Sequence, residues 1–202
     1  MSEKTKIKIC GLSRPIDIDY VNEAKPDLIG FIINFPKSIR NIDPNKAKEL
    51  KALLDPGIKA VGVFVDEKAE VIAKLANEKT IDLIQLHGKE DEAFVHRLKQ
   101  LTHAPIIKAF KGGMVTEEDL ITFPADYVLI DSGKGSGKTF DWSTIPKSPK
   151  PWFLAGGIGM DNVEEAIKTL HPDVIDLSSS VESDGVKDKD KILEIVRRIR
   201  NV

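Results

Sequence analysis

Eight short apolar runs are spaced along the chain: Ile7 to Cys10, Leu28 to Ile33, Ala60 to Val65, Leu83 to Leu86, Ile106 to Phe110, Tyr127 to Ile130, Phe153 to Ala155 and Val174 to Leu177. Rich in Val, Ile, Leu and Phe, they read as strands without polar alternation, the pattern of a parallel sheet covered on both faces. Their starts lie roughly 20 to 30 residues apart, about the length of one βαβ repeat.

Helical stripes fill the intervals. Asp43-Pro44 supplies an N-cap and a first-turn proline for a face of Ala47, Leu50, Leu53 and Leu54. Asp66 is read as the cap of a helix burying Ala69, Ile72, Ala73 and Ala76, and Ala93, Phe94, Leu98 and Leu101 form the next stripe. Asp161 with Glu164 fits a capping box before Val163, Ala166, Ile167 and Leu170, and Ile192, Ile195, Val196 and Ile199 make the last amphipathic face. Two intervals are lean: Lys111 to Asp126 leaves room for a short helix around Thr116 to Ile121, and Pro146, Pro149 and Pro151 permit only about one turn near Ser143. The pattern predicts an α/β chain forming a single-domain (β/α)8 TIM barrel over residues 1–202 with shortened fifth and sixth helical units. An open doubly wound sheet is the alternative.

Composition narrows the partners. Thirty Lys and Arg against thirty-two Asp and Glu give a net charge of −2, which points to no nucleic acid and no anionic membrane surface. The single cysteine, Cys10, excludes an intramolecular disulfide and suits a reducing compartment. Met1 to Lys6 runs directly into the first strand without the apolar core of a signal peptide, and no later apolar stretch is long enough to span a bilayer. The expectation is a soluble cytoplasmic protein.

In a barrel of this kind the reacting groups stand at the C-terminal ends of the strands. That rule gathers Cys10 after strand one, Arg40 after strand two, His87 after strand four, Asp131 after strand six, Gly156-Gly157 after strand seven, and Ser178-Ser179-Ser180 after strand eight. The glycines of Ala155-Gly156-Gly157-Ile158-Gly159 and a short turn at Ser179-Ser180-Val181-Glu182 bring backbone N–H groups toward one anion, at the recurrent phosphate position of the fold. Gly133 to Thr139 ends in Gly-Lys-Thr, but Ser132 stands where a nucleotide-binding loop needs glycine, and prolines follow instead of a helix. It is read as a flexible loop over the site, with Lys138 either near the phosphate or exposed. His87, His96, His103 and His171 are scattered without zinc-ligand spacing, so no metal site is expected.

Several stretches together resemble phosphoribosylanthranilate isomerase: Lys8-Ile9-Cys10-Gly11, Gly30-Phe31 with Pro36-Lys37-Ser38-Ile39-Arg40, Val61 to Val65, Gln85-Leu86-His87-Gly88, Gly135 to Trp142, Ala155-Gly156-Gly157-Ile158 and Asp176-Leu177-Ser178-Ser179. Two departures are Ser180, where the family usually carries glycine, and a short loop after Asp131.

The resemblance implies an Amadori rearrangement of N-(5-phosphoribosyl)anthranilate, a small phosphosugar, to 1-(o-carboxyphenylamino)-1-deoxyribulose 5-phosphate in tryptophan biosynthesis. It makes Asp131 the acid and Cys10 the base, gives Arg40 the anthranilate carboxylate, and places Gly156, Gly157, Ser179 and Ser180 at the phosphate. His87 and Asp176 line the substrate. Such roles ask for a raised Asp131 pKa and a lowered Cys10 pKa. Isomerisation has no net redox change, so no cofactor is required. The alternatives are a histidine-pathway sugar-phosphate isomerase, which uses aspartate at the strand-one position, and a non-catalytic phosphosugar-binding barrel. The expected assembly is a monomer or homodimer.

Overall fold

Each apolar run forms a strand in the computed structural model, which describes residues 4–133 and 142–202. The barrel strands are β1 (Lys6–Cys10), β2 (Leu28–Ile33), β3 (Lys59–Phe64), β4 (Leu83–Leu86), β5 (Ile106–Lys111), β6 (Tyr127–Asp131), β7 (Trp152–Ala155) and β8 (Val174–Leu177). Every neighbouring pair is parallel, and β1 pairs with both β8 and β2, so the sheet closes. The helices are α1 (Pro15–Ala24), α2 (Pro44–Leu53), α3 (Ala69–Asn77), α4 (Glu92–Leu101), α5 (Glu117–Thr122), α6 (Val163–Leu170) and α7 (Lys189–Arg200). Between β6 and β7 the described residues hold only a 3₁₀ turn, Trp142–Thr144, as the prolines require.

The strands have two different faces. Outward residues such as Ile7, Ile9, Ile29, Phe31 and Phe64 pack under the helices with Ile18, Leu50, Ile72 and Ile195, and each such side chain removed from water contributes about 1.5–3 kcal/mol. Inward residues Leu28, Val61, Ile107, Leu129, Phe153, Ala155 and Val174 fill the barrel. The expectation of no polar alternation fails on three strands. In β1 Ile7 and Ile9 face the helices while Lys8 reaches Asp176 across the interior, and Ile84 and Ile175 likewise alternate with Gln85 and Asp176. The polar members of those runs form a buried polar layer below the C-terminal mouth.

Four aspartates close the opposite end by one repeated device. Asp27, Asp82, Asp126 and Asp173 each precede an even-numbered strand, and their carboxylates accept the N–H of Ile7, Ala60, Ile106 and Trp152 at 2.8, 2.7, 2.8 and 2.8 Å. The same four aspartate N–H groups donate back to the carbonyls of those four residues. A cavity of about 630 Å³ opens at this end, lined by Leu28, Leu83, Tyr127 and Phe153. Three of the four carboxylates border it, and all three are spent on strand N–H groups.

Several local expectations are corrected. Helix α1 is additional; Pro15 opens it, Asp17 accepts the N–H groups of Ser13 and Arg14, and Ile18 and Val21 supply its buried face. Asp66 does not cap α3, because its backbone is left-handed (φ +53°) and its carboxylate accepts from the Lys89 N–H in the next loop. Lys68 holds the cap position without a side-chain bond. Asn162, not Asp161, caps α6, and its side chain bonds Gly159 N–H and Gly157 C=O instead of the helix. Leu53 turns to solvent while Leu54, just past the helix, is buried. Among the described residues no helix is long and apolar enough to cross a membrane.

Candidate active site

Cys10 ends β1 with its side chain inward and 8 % of the residue exposed. Gly30 is its Cα partner on β2, and a Cβ there would lie 2.7 Å from Cys10 Sγ and 3.2 Å from Lys8 Nζ. The missing side chain is therefore the space in which thiol and ammonium sit. Below them Lys8 Nζ donates to Asp176 Oδ2 at 2.7 Å, with Lys8 fully shielded. Burial pushes the Cys10 thiol up, and the Asp176 carboxylate adds to that rise against the pull of Lys8 and Lys187. Burial alone would lower Lys8, but Asp176 and Cys10 outweigh it and hold the ammonium above its ordinary value.

Beside the thiol lies a second ionic cluster. Glu182 and Lys187 are Cα partners of a two-rung antiparallel ribbon that follows β8. Arg40 donates Nε and Nη2 to Glu182 Oε1 and Oε2 at 2.6 and 2.5 Å, and Lys187 Nζ donates to Oε1 at 2.5 Å and to Ser178 C=O at 3.0 Å. Burial would raise Glu182, but its bonds to Arg40 and Lys187 prevail and hold it below the usual glutamate range. Arg40 reaches this position by crossing Gly11, where φ is +86° and a Cβ would lie 2.5 Å from Arg40 Cδ. One edge of the guanidinium is thus occupied by Glu182, and Nη1 takes no part in that contact.

On the facing side, Asp131 ends β6. Its Oδ1 accepts from Gly133 N–H at 2.8 Å, and its Oδ2 lies 3.5 Å from His87 Nε2. Gln85 Nε2 lies 3.0 Å from His87 Nδ1. An amide nitrogen only donates, so Nδ1 accepts and the imidazole proton stands on Nε2, facing Asp131. The His87 bond holds Asp131 below the usual carboxylate range, with Gly133 adding to the effect against the opposing pull of burial. Both directions, a raised thiol and a lowered carboxyl, are opposite to those the base and acid roles ask for.

The loops after β7 and β8 converge between these groups. Gly156 has φ +81°, and a Cβ there would lie 2.3 Å from Asp131 Oδ1 and 2.6 Å from Gly133 N, so only glycine lets the two loops touch. A Cβ on Gly159 would lie 3.2 Å from Ser180 Cβ, which sets the β7 loop against the Ser179–Val181 turn. Ser180 is not in a left-handed conformation, so serine costs no backbone strain where glycine was expected. Its hydroxyl is buried without a partner. Lys134 to Asp141, including Lys138, lie outside the described residues.

The structure therefore groups Cys10 with Asp176, His87 with Asp131 and Gly156, and the Gly157 loop with Ser179 and Ser180. The sequence reading assigned no role to Lys8, Gln85, Glu182 or Lys187. Their signal was polarity inside otherwise apolar strands for Lys8 and Gln85, and none for the other two.

The model of the family described as "N-(5'phosphoribosyl)anthranilate (PRA) isomerase" matches residues 7–198. The N-(5'-phosphoribosyl)anthranilate isomerase of Endomicrobium trichonymphae is 46 % identical over 202 residues, covering 98 % of this chain and 99 % of that one. Among solved structures, TrpF from Jonesia denitrificans superposes with a TM-score of 0.84 at 32 % identity, covering 98 % of each chain. A phosphoribosyl anthranilate isomerase in complex with reduced 1-(o-carboxyphenylamino)-1-deoxyribulose 5-phosphate superposes with a TM-score of 0.80 at 29 % identity, covering 98 % of this chain and 100 % of that one. Full-length sequence identity and a shared barrel agree, and the chain belongs to the N-(5'-phosphoribosyl)anthranilate isomerase family.

Proposed function

We propose that this chain isomerises N-(5'-phosphoribosyl)anthranilate to 1-(o-carboxyphenylamino)-1-deoxyribulose 5-phosphate, a step of tryptophan biosynthesis, with Asp131 as acid and Cys10 as base. The observation that carries the reading is the placement of a thiol on β1 and a carboxyl on β6 at one barrel mouth, with the Gly157 and Ser179–Ser180 loops beside them, in a chain of this family. The anilino nitrogen pushes its lone pair toward C1 as Asp131 protonates the ring oxygen, and the ribose opens to an iminium. C2–H is then acidic, and Cys10 as thiolate removes it. The enolamine formed gives up its C2 hydroxyl proton and gains one at C1, leaving the ketone.

Lys8 and Lys187 are the cations that favour the thiolate, while a substrate covering Asp131 removes water and favours its neutral form. Arg40 holds the anthranilate carboxylate through Nη1, the edge that Glu182 leaves open. Asp176 Oδ1, buried and without a partner, accepts a sugar hydroxyl, and the backbone N–H groups of Gly156, Gly157, Ser179 and Ser180 take the phosphate. The protein acts on this small molecule in the cytoplasm, as a monomer or homodimer.

The test is the loss of phosphoribosylanthranilate fluorescence on adding the purified chain. Cys10→Ala and Asp131→Asn are each expected to lower kcat by about 10²- to 10⁴-fold with KM little changed. Substrate binding without conversion by the unaltered chain would refute the reading.

A further inference from the structure

Gln85 is 1 % exposed on the inward face of β4, where the apolar pattern would otherwise place an aliphatic residue. Half of its amide is engaged: Nε2 meets His87 Nδ1 at 3.0 Å, while Oε1 is buried without a partner. With the residue almost fully buried inside the barrel, the amide does not swing to solvent, but rotation about its last bond exchanges the two ends. With Nε2 toward the ring, Nδ1 is bare and the ring proton stands on Nε2. With Oε1 toward the ring, Nδ1 must carry a proton.

Resting on the assignment of Asp131 as the acid, we propose that Gln85 is a positioning residue for that half of the reaction, setting through His87 whether the His87–Asp131 pair holds one proton or two. After Asp131 has given its proton to the ring oxygen, one proton remains, on Nε2, and the carboxylate accepts from it. That is the arrangement in the structure. A proton taken from water recharges the pair: Nδ1–H donates to Gln85 Oε1, and the second proton is shared between Nε2 and Asp131 Oδ2. The unpaired amide oxygen is the acceptor that the recharged state uses.

Other charged groups surround the pair without taking this role. Lys111 on β5 is the Cα partner of Asp131. Asp66 and Glu90, from the loops after β3 and β4, are engaged by the N–H groups of Lys89, Gly88 and Asp66, and Lys108 binds Glu90. Across the mouth, Lys8 is tied to Asp176 beside Cys10.

Nitrogen-15 NMR of the unaltered chain, with His87 identified by its loss in His87→Asn, reads the ring directly. Expected is an Nε2–H tautomer at neutral pH. In Gln85→Glu the introduced carboxylate accepts from Nδ1–H and keeps both ring nitrogens protonated, moving the alkaline limb of kcat upward by about one pH unit or more. Gln85→Leu mixes the two tautomers and lowers kcat about tenfold, with KM within about threefold. An Nδ1–H tautomer in the unaltered chain at neutral pH overturns the proposal, as do variant pH profiles that superimpose on the unaltered one. The tautomer measurement decides alone where a variant does not fold. It is independent of turnover, so an inactive chain with the expected tautomer would instead refute the acid assignment.

Discussion

Gly30→Ala adds a single methyl group at the point where the site is tightest. The new Cβ would lie 2.7 Å from Cys10 Sγ, 3.2 Å from Cys10 Cα and 3.2 Å from Lys8 Nζ. The first distance is about 1 Å inside a normal non-bonded contact. Rotating the thiol relieves it only by carrying Sγ away from Lys8. The contact to Cα is with backbone, so β1 and β2 must also part by a few tenths of an ångström. Overpacking of this kind costs about 1–3 kcal/mol, or roughly 2–12 °C in Tm for a chain of this size. Displacing a reacting group by about 1 Å costs about 10²-fold in rate. The expected outcome is therefore a folded barrel whose kcat falls about 100-fold while KM changes less than about threefold. Cys10 is the only cysteine, so the pH dependence of alkylation reports its thiol alone. That curve is expected to move to higher pH as Lys8 is lost from beside the sulfur. Unchanged kcat together with an unchanged alkylation curve would refute the placement of Sγ and Nζ in the space that Gly30 leaves.

Three further outcomes follow from the same geometry. Glu182→Gln leaves Arg40 and Lys187 without their shared carboxylate and is expected to cost about 3 kcal/mol at neutral pH. Because Glu182 is held below its ordinary value, that stabilisation is complete above about pH 4.3 and is lost as the pH falls through the lower folded-state value, so urea titrations of the two proteins should converge in acid. Gly156→Ala combines φ +81° with a Cβ 2.3 Å from Asp131 Oδ1, and is expected to lower kcat at least 10-fold in the fluorescence assay. Asp82→Ala strips the Ala60 N–H and Lys51 of their acceptor and is expected to lower stability by about 1–3 kcal/mol in thermal melts while leaving kcat within about twofold.

Strand positions are legible because both faces of each strand are covered, and that forces apolar runs such as Ile29, Phe31 and Ile33. Cys10, His87 and Asp131 are legible as strand-end residues once a barrel is assumed. Helix α1 escapes a periodicity search because its ten residues bury only Ile18, Val21 and the carboxylate of Asp17. Asp66 and Asp161 mislead because a short acidic side chain before a helix can equally serve a neighbouring loop, and only the fold decides which N–H it meets. Lys8 and Gln85 are readable in principle as polar residues inside apolar barrel strands, but the face they take is not. Lys108 on β5 has the same surroundings in sequence and lies on the helix-facing side, bound to Glu90. Glu182 and Lys187 are not readable. Their meaning arises from a ribbon of two rungs that carries no pattern of its own, and from an arginine 142 residues away.

The four aspartate clamps also bear on how the chain reaches this structure. Each spans only 20 to 22 residues, joining β1 to β2, β3 to β4, β5 to β6 and β7 to β8. None of the four bridges a β2–β3, β4–β5, β6–β7 or β8–β1 seam. The barrel thus divides into four strand–helix–strand modules, each able to fasten its own open end before the ring closes. Such short-range closure lowers the entropic cost of pairing parallel strands, which are otherwise slow to find one another. A circular permutant opened at Asp55–Gly57, between modules, keeps all four fastenings, whereas one opened at Lys25 severs the loop that Asp27 closes.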